Sequence, residues 1–307
     1  RIQEVAAALG YTRNPVIDEL MSQLRRSRAA TFQRTIALLN AHRDRHAFVE
    51  NPTVPAWVEG CRRRAEHLGC RTDEFWLHDP ELDGERLRRI LATRGIRGVV
   101  VIGAFHRDWI PARFDPLWPE VASVVTGIRT HSPALSFTCV DHHHLVLDAM
   151  AEVRALGYRR PGLVLSHTVD RVTDGRFTCA MWMAQQGLPP ADRVPSLTDF
   201  PTDDEGEAPF ARWYRQHRPD VVLTLHTVAR DWLASLRRQA PEDVGLVHLE
   251  RTRSTAEWAG MEQHNEVAGE AAIDLLTGLL HHHEYGVPAY PRATFIGATW
   301  ATGSTVR

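Results

Sequence analysis

Short apolar segments alternate with amphipathic helical segments along most of this chain after residue 30, and this alternation constrains the fold more than any other feature. The segments TIALLN, RGVVVIGA and PDVVLTL are typical of buried strands, whereas PAWVEGCRRRAEHLGC and HLVLDAMAEVRALGY have helical spacing of their apolar residues. Strands joined through helices form parallel sheets. Because the units are too many for one open sheet, the sequence predicts an α/β protein of two doubly wound parallel-sheet lobes.

The first 30 residues have a different pattern. Helical spacing ends at Gly10, and Asn14 with Pro15 can cap and begin a second short helix. An apolar stripe that includes Leu20 follows, and arginines stand at its end, where the helix dipole favours positive charge. We therefore expect a short helical segment over residues 1–30 before the two lobes.

Composition and motifs exclude several classes of protein. The net charge of −2 means that any contact with nucleic acid must come from a local patch. No apolar run reaches the length of a membrane span, and the first residues lack the apolar region of a signal peptide, so we expect a cytoplasmic protein. No Walker loop, G-x-S-x-G or G-x-G-x-x-G motif is present, which argues against an enzyme and against a bound cofactor.

A metal site is not expected either. The four cysteines match no zinc spacing, and the histidines of the triplets 142–144 and 281–283 are adjacent, so on a helix they point in different directions. Solvated histidines at helix ends explain both triplets.

Polar residues follow several of the predicted strands. Parallel sheets bind ligands at the carboxyl ends of their strands, and two such lobes would form a cleft there. Each of these residues alone could be an ordinary loop residue, but together they offer donors, acceptors and one aromatic face, which suits a polyhydroxylated ligand such as a sugar. The candidate residues are Asn40, His42, Arg171, Phe200, His226, Glu250 and Gln263.

Several segments, in order along the chain, resemble the pattern of one known protein family. RIQEVAAALGYTRNPVIDELMSQLRR resembles the last headpiece helix and the hinge helix of that family. LDAMAEVRALGYRRPGLVL, PDVVLTLHTVARDWLASLRRQAPEDVGLVHLE, MEQHNEVAGEAAIDLL and ATFIGATWATGSTVR resemble its later helix–strand units, its long helix and its closing strand. In this order the segments resemble the lac/gal repressor (LacI/GalR) family of bacterial transcriptional regulators, and the resemblance covers nearly the whole chain.

The resemblance implies two periplasmic-binding-protein-like lobes, joined by three crossovers, with a small-molecule effector in the cleft. The end of a DNA-binding headpiece and the hinge would be residues 1–30, lobe one 31–139 plus 263–289, and lobe two 140–262 plus 290–307. The lobes would form a homodimer. In the paired hinge helices Leu20 would insert between base steps in the minor groove, with Arg13 and Asn14 at the phosphates of operator DNA.

Some positions depart from the family pattern. The helix-turn-helix pair would lie before Arg1. The effector arginine of the family falls on Thr173, with Arg171 close enough to replace it. The Asn-Asp pair of the family falls on Leu225 and His226, and its cleft aspartate falls on Glu250. These changes put the usual effectors in doubt.

The resulting interpretation is an effector-responsive transcriptional regulator that binds a small molecule, most simply a sugar, and couples it to operator binding. Repression is the commoner role in the family, and activation stays open. The alternative is a sugar-binding solute receptor with no role on DNA. An enzyme on this fold is a third, weaker reading, because neither a nucleophile motif nor a cofactor loop is present.

Overall fold

The computed structural model describes residues 34–104, 109–200 and 202–307. The predicted hinge contacts Arg13, Asn14 and Leu20 lie outside the described residues.

The described chain forms two parallel sheets, as the alternation of strands and helices predicts. The first sheet has six strands in the order β10-β5-β4-β3-β1-β2, and all its pairs are parallel. Its strands are β1 (Arg34–Asn40), β2 (Cys70–Trp76), β3 (Gly98–Ile102), β4 (Ala122–Thr126), β5 (Ser136–Val140) and β10 (Ala293–Ile296).

The second sheet has five strands in the order β11-β9-β8-β7-β6. Four of its strands are parallel to one another, and β11 runs antiparallel to β9. Its strands are β6 (Pro161–Val164), β7 (Val221–Thr224), β8 (Gly245–His248), β9 (Ala259–Glu262) and β11 (Thr299–Ala301).

Helices cover both sheets. The α-helices are α1 (Ala47–Glu50), α2 (Val54–His67), α3 (Gly84–Thr93), α4 (His142–Ala155), α5 (His167–Val172), α6 (Arg176–Gln185), α7 (Glu207–His217), α8 (Ala229–Ser235) and α9 (Asn265–His281). The described residues also form 3₁₀ segments at Ala112–Glu120, Pro190–Asp192, Asp203–Glu205 and Arg253–Thr255. Within the described residues, no helix is long and apolar enough to cross a bilayer.

The central strands are apolar throughout because helices bury both of their faces. Every residue of β3, β4 and β7 is buried, which is the pattern expected of parallel strands between two helical layers. Side-chain caps set the starts of several helices. Asp83 accepts from the Arg86 amide at 2.7 Å at the start of α3, and Asp141 accepts from the His144 amide at 3.1 Å at the start of α4.

The described part of the chain crosses between the sheets three times, after β5, after β9 and after β10. The last crossing differs from the sequence-based division, which assigned all of 290–307 to the second lobe. The backbone of β10 pairs with β5, for example Ala293 opposite Phe137 and Ile296 opposite Val140. Residues 293–296 therefore belong to the first sheet, and the third crossing follows Ile296.

Candidate ligand-binding cleft

Residues that follow strands of the two sheets contact one another across a cleft. Glu250, just after β8, accepts a hydrogen bond from the Nδ2 of Asn265, the first residue of α9, at 2.8 Å. Ala104 and Ile128, after β3 and β4, form a small buried apolar cluster with Val172 of α5. The carboxyl ends of both parallel sheets therefore meet, which is where such folds bind ligands.

Glu250 joins the two lobes through its side chain. Its carboxylate takes hydrogen bonds from Thr53, at the start of α2, and from Asn265, and both of these residues belong to the first lobe. Burial raises the pKa of Glu250 to about 7, against the opposite effect of the two hydrogen bonds. Near neutral pH this carboxyl group therefore exists in both protonation states, and it can donate as well as accept hydrogen bonds.

Asn265 is held in one orientation by Trp57. The Trp57 indole N–H, which can only donate, bonds to the Oδ1 of Asn265 at 3.0 Å, so the Nδ2 group must face Glu250. Asn265 and Trp57 are both buried. The sequence-based candidates did not include Asn265, although an asparagine at the start of the predicted long helix was a usable signal.

His226 is fully bonded inside the second lobe. The Ser166 backbone N–H donates to its Nε2 at 2.8 Å, so the ring proton lies on Nδ1, which pairs with the Oδ1 of Asp203 at 2.5 Å. This bond lowers the pKa of Asp203 below its usual 3.8. Because both ring nitrogens have protein partners, His226 offers no free polar atom while these bonds hold.

Phe200 lies beside His226 but does not present an open face. Its ring is 5.4 Å from the His226 ring and 5.6 Å from the Trp232 ring, both in edge-to-face geometry, and the residue is only 2% exposed. The aromatic face expected for sugar stacking is thus turned into the core of the second lobe. The structure brings Phe200 and His226 together, but as packing partners.

Asn40 and His42 organise the loop that follows β1. The Nδ2 of Asn40 donates to the carbonyls of Asp44 and Arg45 at 3.2 and 3.1 Å, and its Oδ1 accepts from the His42 amide at 2.9 Å. The Nδ1 of His42 accepts from the Asp44 amide at 3.0 Å, and burial lowers the pKa of His42. Both residues lie at the carboxyl edge of the first sheet, as expected, and their bonds shape the loop.

The two remaining candidates, Gln263 and Arg171, differ in burial. Gln263 is buried at the second crossing, where its Nε2 donates to the Leu249 carbonyl at 2.8 Å. Arg171 is exposed in the last turn of α5. Thr173, which stands where the resemblance places an effector arginine, uses its hydroxyl to bond the Val169 carbonyl at 2.8 Å within its own helix.

Further contacts hold the lobes together beside the crossings. The Nε2 of His131, in the first lobe, is 3.0 Å from the Oδ1 of Asp174 in the second. The Arg176 guanidinium of α6 lies over the rings of Phe137 and Phe295 of the first sheet, 5.7 and 5.5 Å from their centroids. In this conformation, polar and apolar contacts therefore both bridge the lobes.

A cavity of about 250 Å³ lies at the carboxyl edge of the first sheet. It is lined by Ala41, Arg43, Leu77, His78, Ala104, Trp109, Ile110 and Pro111. Ala104 also belongs to the apolar cluster that bridges the lobes, so this cavity adjoins the cleft.

The structure matches those of LacI family transcriptional regulators over about 90% of the chain. The transcriptional regulator CelR in complex with cellobiose aligns over 96% of this chain and 92% of its own, with a TM-score of 0.64 and 18% identity. A LacI family regulator from Arthrobacter sp. FB24, in complex with lactose, aligns over 90% and 100%, with a TM-score of 0.65 and 15% identity.

A third match is a putative LacI family transcriptional regulator from Rhizobium etli, over 89% of this chain and 98% of that one, with a TM-score of 0.66 and 16% identity. No family model and no curated protein sequence matches the chain. At these identities the shared property is the fold, a pair of parallel-sheet lobes like those of periplasmic binding proteins, and the fold expected from the resemblance is confirmed.

Proposed function

We propose that this chain is an effector-responsive transcriptional regulator that binds a small molecule in the cleft between its lobes and couples it to operator DNA. The observation that carries the proposal is the bridge from Glu250 to Asn265 and Thr53. A polar group of one lobe bonded to polar groups of the other can exchange those bonds for bonds to a ligand. Ligand binding would then change how the lobes are held together.

A carbohydrate is the ligand class that we propose. Two of the structural neighbours are complexes with cellobiose and with lactose. Glu250 and Asn265 supply an acceptor and a donor side by side, and a sugar hydroxyl can use both. Arg171, exposed at the edge of the second lobe, and His42 on the facing edge of the first would bind groups farther out.

The role on DNA rests on the sequence of residues 1–30, which resembles a headpiece end and hinge helix. We propose a homodimer in the cytoplasm in which paired hinge segments place Leu20 in the minor groove and Arg13 and Asn14 at phosphates. By linkage, a ligand that alters operator affinity must have its own affinity altered by the operator to the same extent. A solute-binding protein would share the lobes but show no such coupling.

Thermal denaturation against a panel of monosaccharides and disaccharides tests the binding step. A ligand that binds only the folded chain raises the melting temperature as its concentration increases. A sugar that raises the melting temperature of the parent chain should raise that of Glu250→Ala much less. The variant lacks the acceptor for a sugar hydroxyl, which weakens binding by about 1–3 kcal/mol. If no sugar shifts the transition, the carbohydrate assignment is wrong.

The same chain, extended by a complete headpiece, tests the regulatory step. Its affinity for operator DNA is measured with and without the sugar that the thermal experiment identifies. A change in operator affinity supports a regulator, and the sign separates inducer from corepressor. An operator affinity that no cleft ligand alters favours a binding protein without a role on DNA.

A further inference from the structure

A second cavity lies at the edge of the first sheet opposite the cleft. It has a volume of about 330 Å³ and opens where β1, β2 and β3 begin and where α2 and α9 end. The strand β1 is seven residues, or about 20 Å, long and runs from this cavity to the carboxyl edge of the sheet, so the cavity is remote from the cleft. We call it the amino-edge pocket. Its lining residues are Arg34, Thr35, Ile36, His67, Leu68, Gly69, Cys70, Gly95, Arg97, Gly98, Thr277, Leu280, His281, His283 and Tyr285.

The polar lining of the amino-edge pocket is basic. Arg34 at the start of β1 and Arg97 just before β3 bring two guanidinium groups, and His67, His281 and His283 bring three imidazoles. No aspartate or glutamate occurs among the described residues that line it. Arginine binds phosphate and carboxylate groups with paired hydrogen bonds, so this lining suits an anion.

Neither of the two arginines is neutralised by a carboxylate within the part of the chain that the structure describes. A nearby arginine does have a carboxylate partner. Arg94, three residues before Arg97, pairs with Asp73 at 2.7 Å. The exposed side chains of Arg34 and Arg97 are therefore available to a ligand, in contrast to the surface ion pairs around them.

Helix ends offer a competing reason for basic residues here. Three helices, α2, α3 and α9, end at the pocket, and each C-terminus carries about half a negative charge. Several of the carbonyl groups that carry this negative charge already have partners, because the amides of Leu68 and His282 donate to carbonyls of the preceding turn. Arg34 begins β1 and Arg97 directly precedes β3, so neither is part of a helix, and their two full charges exceed the sum of the three helix ends. A positive site remains.

The rest of the lining indicates an organic ligand. Ile36, Leu68 and Leu280 provide apolar surface, and Tyr285 provides an aromatic ring. The volume lies at the lower end of the range for small-molecule sites, about 300–1,000 Å³, and a lone inorganic phosphate would leave most of it empty. A concave shape of this size suits a small molecule better than the backbone of a DNA duplex.

We propose that the amino-edge pocket binds a small organic phosphate, with the phosphate group held by Arg34 and Arg97. The organic part lies against Tyr285 and the apolar wall. This site is separate from the cleft, and its ligand is distinct from the effector proposed there.

Isothermal titration calorimetry of the full chain with phenyl phosphate tests the site, because that probe combines a phosphate with a flat apolar ring. We expect saturable binding with one site per chain. Arg97→Gln and Arg34→Gln should each weaken it on the order of tenfold, since each removes a charge-assisted pair. Thr277→Phe should weaken it as well by filling the pocket without changing its charge. Arg89→Gln, at an exposed arginine of α3 outside the pocket, should bind like the parent.

Two results would overturn the proposal. One is an equal loss of binding in Arg89→Gln, which would indicate a general charge effect. The other is an absence of phenyl phosphate binding by the parent chain; a loss of duplex DNA affinity in Arg97→Gln would then show that the arginines contact the DNA backbone. A sugar that binds the cleft must still bind Arg97→Gln, so failure here and failure of the cleft proposal give different results.

Discussion

Replacement of Glu250 by glutamine tests the electrostatics of the cleft without a ligand. The carboxyl group is desolvated between the lobes, and burial raises its pKa from 4.5 to about 7. The unfolded chain releases this proton near its ordinary pKa, whereas the folded chain keeps it to about pH 7. The free energy of unfolding of the parent protein must therefore fall as pH rises from 4.5 to 7.

The size of the effect follows from the difference in pKa. A change from 4.5 to about 7 is 2.5 units, and at 1.36 kcal/mol per unit it corresponds to at most about 3 kcal/mol. Because Glu250 keeps some contact with solvent, we expect about 1–2 kcal/mol in practice. Glutamine has nearly the same shape and cannot ionise. It should thus match the parent at pH 4 and be more stable by this amount at pH 8.

Urea denaturation from pH 4 to pH 8.5 measures the difference. Glu242→Gln, at an exposed glutamate of the second lobe, is the control, and it should differ little from the parent at any pH. A stability difference between Glu250→Gln and the parent that stays constant with pH would refute the reasoning. So would a glutamine variant that is less stable at pH 8, because the ionised bridge would then be net stabilising.

Three further predictions concern the hinge, the bridge and the helix packing. Leu20→Ala in the chain with a complete headpiece should weaken operator binding, measured by fluorescence anisotropy, and leave ligand binding in the cleft unchanged. Equal operator affinity of variant and parent would contradict the insertion of Leu20 between base steps. Asn265→Ala leaves the buried Trp57 N–H without its acceptor and should lower stability to urea by about 1–3 kcal/mol, so an unchanged midpoint would mean that water replaces the amide. Gly269→Ala places a Cβ 2.2 Å from the Trp57 carbonyl oxygen and should destabilise the fold by at least about 1–3 kcal/mol, whereas Gly278→Ala in the same helix meets nothing within 4 Å and should raise the melting temperature slightly. Similar melting temperatures for the two alanine variants would show that α2 and α9 can separate.

The sequence was sufficient to predict the lobes because their strands are buried on both faces. An unbroken apolar run such as GVVVI or VVLT has one simple explanation in a chain of this type, a central parallel strand. The strand β10 carries no such signal. It is an edge strand, and three of its four residues are exposed, so the third crossing was placed too early.

The positions of the candidate residues at the carboxyl edges could be predicted, but the bonds that they make could not. Polar residues after strands indicate the carboxyl edges, and Glu250 and Gln263 do lie there. The bond between His226 and Asp203 joins residues far apart in the sequence, and no local pattern shows it. Phe200 stands in an irregular stretch without periodicity, so its burial could not be seen before its ring partners were placed.

The bonding of the cleft residues limits what a ligand can do there. Glu250, Asn265 and His226 all have protein partners in this conformation, so a ligand must replace hydrogen bonds instead of simply adding them. Exchange of the bond between Glu250 and Asn265 has a global consequence, because its two ends belong to different lobes. A ligand group that both accepts and donates, as a hydroxyl does, could stand between them and keep both satisfied. An apolar ligand of the same size would leave both unpaired, at a cost of about 1–3 kcal/mol for each group. Selection for hydroxylated ligands and control of the lobe contact would then have the same physical origin.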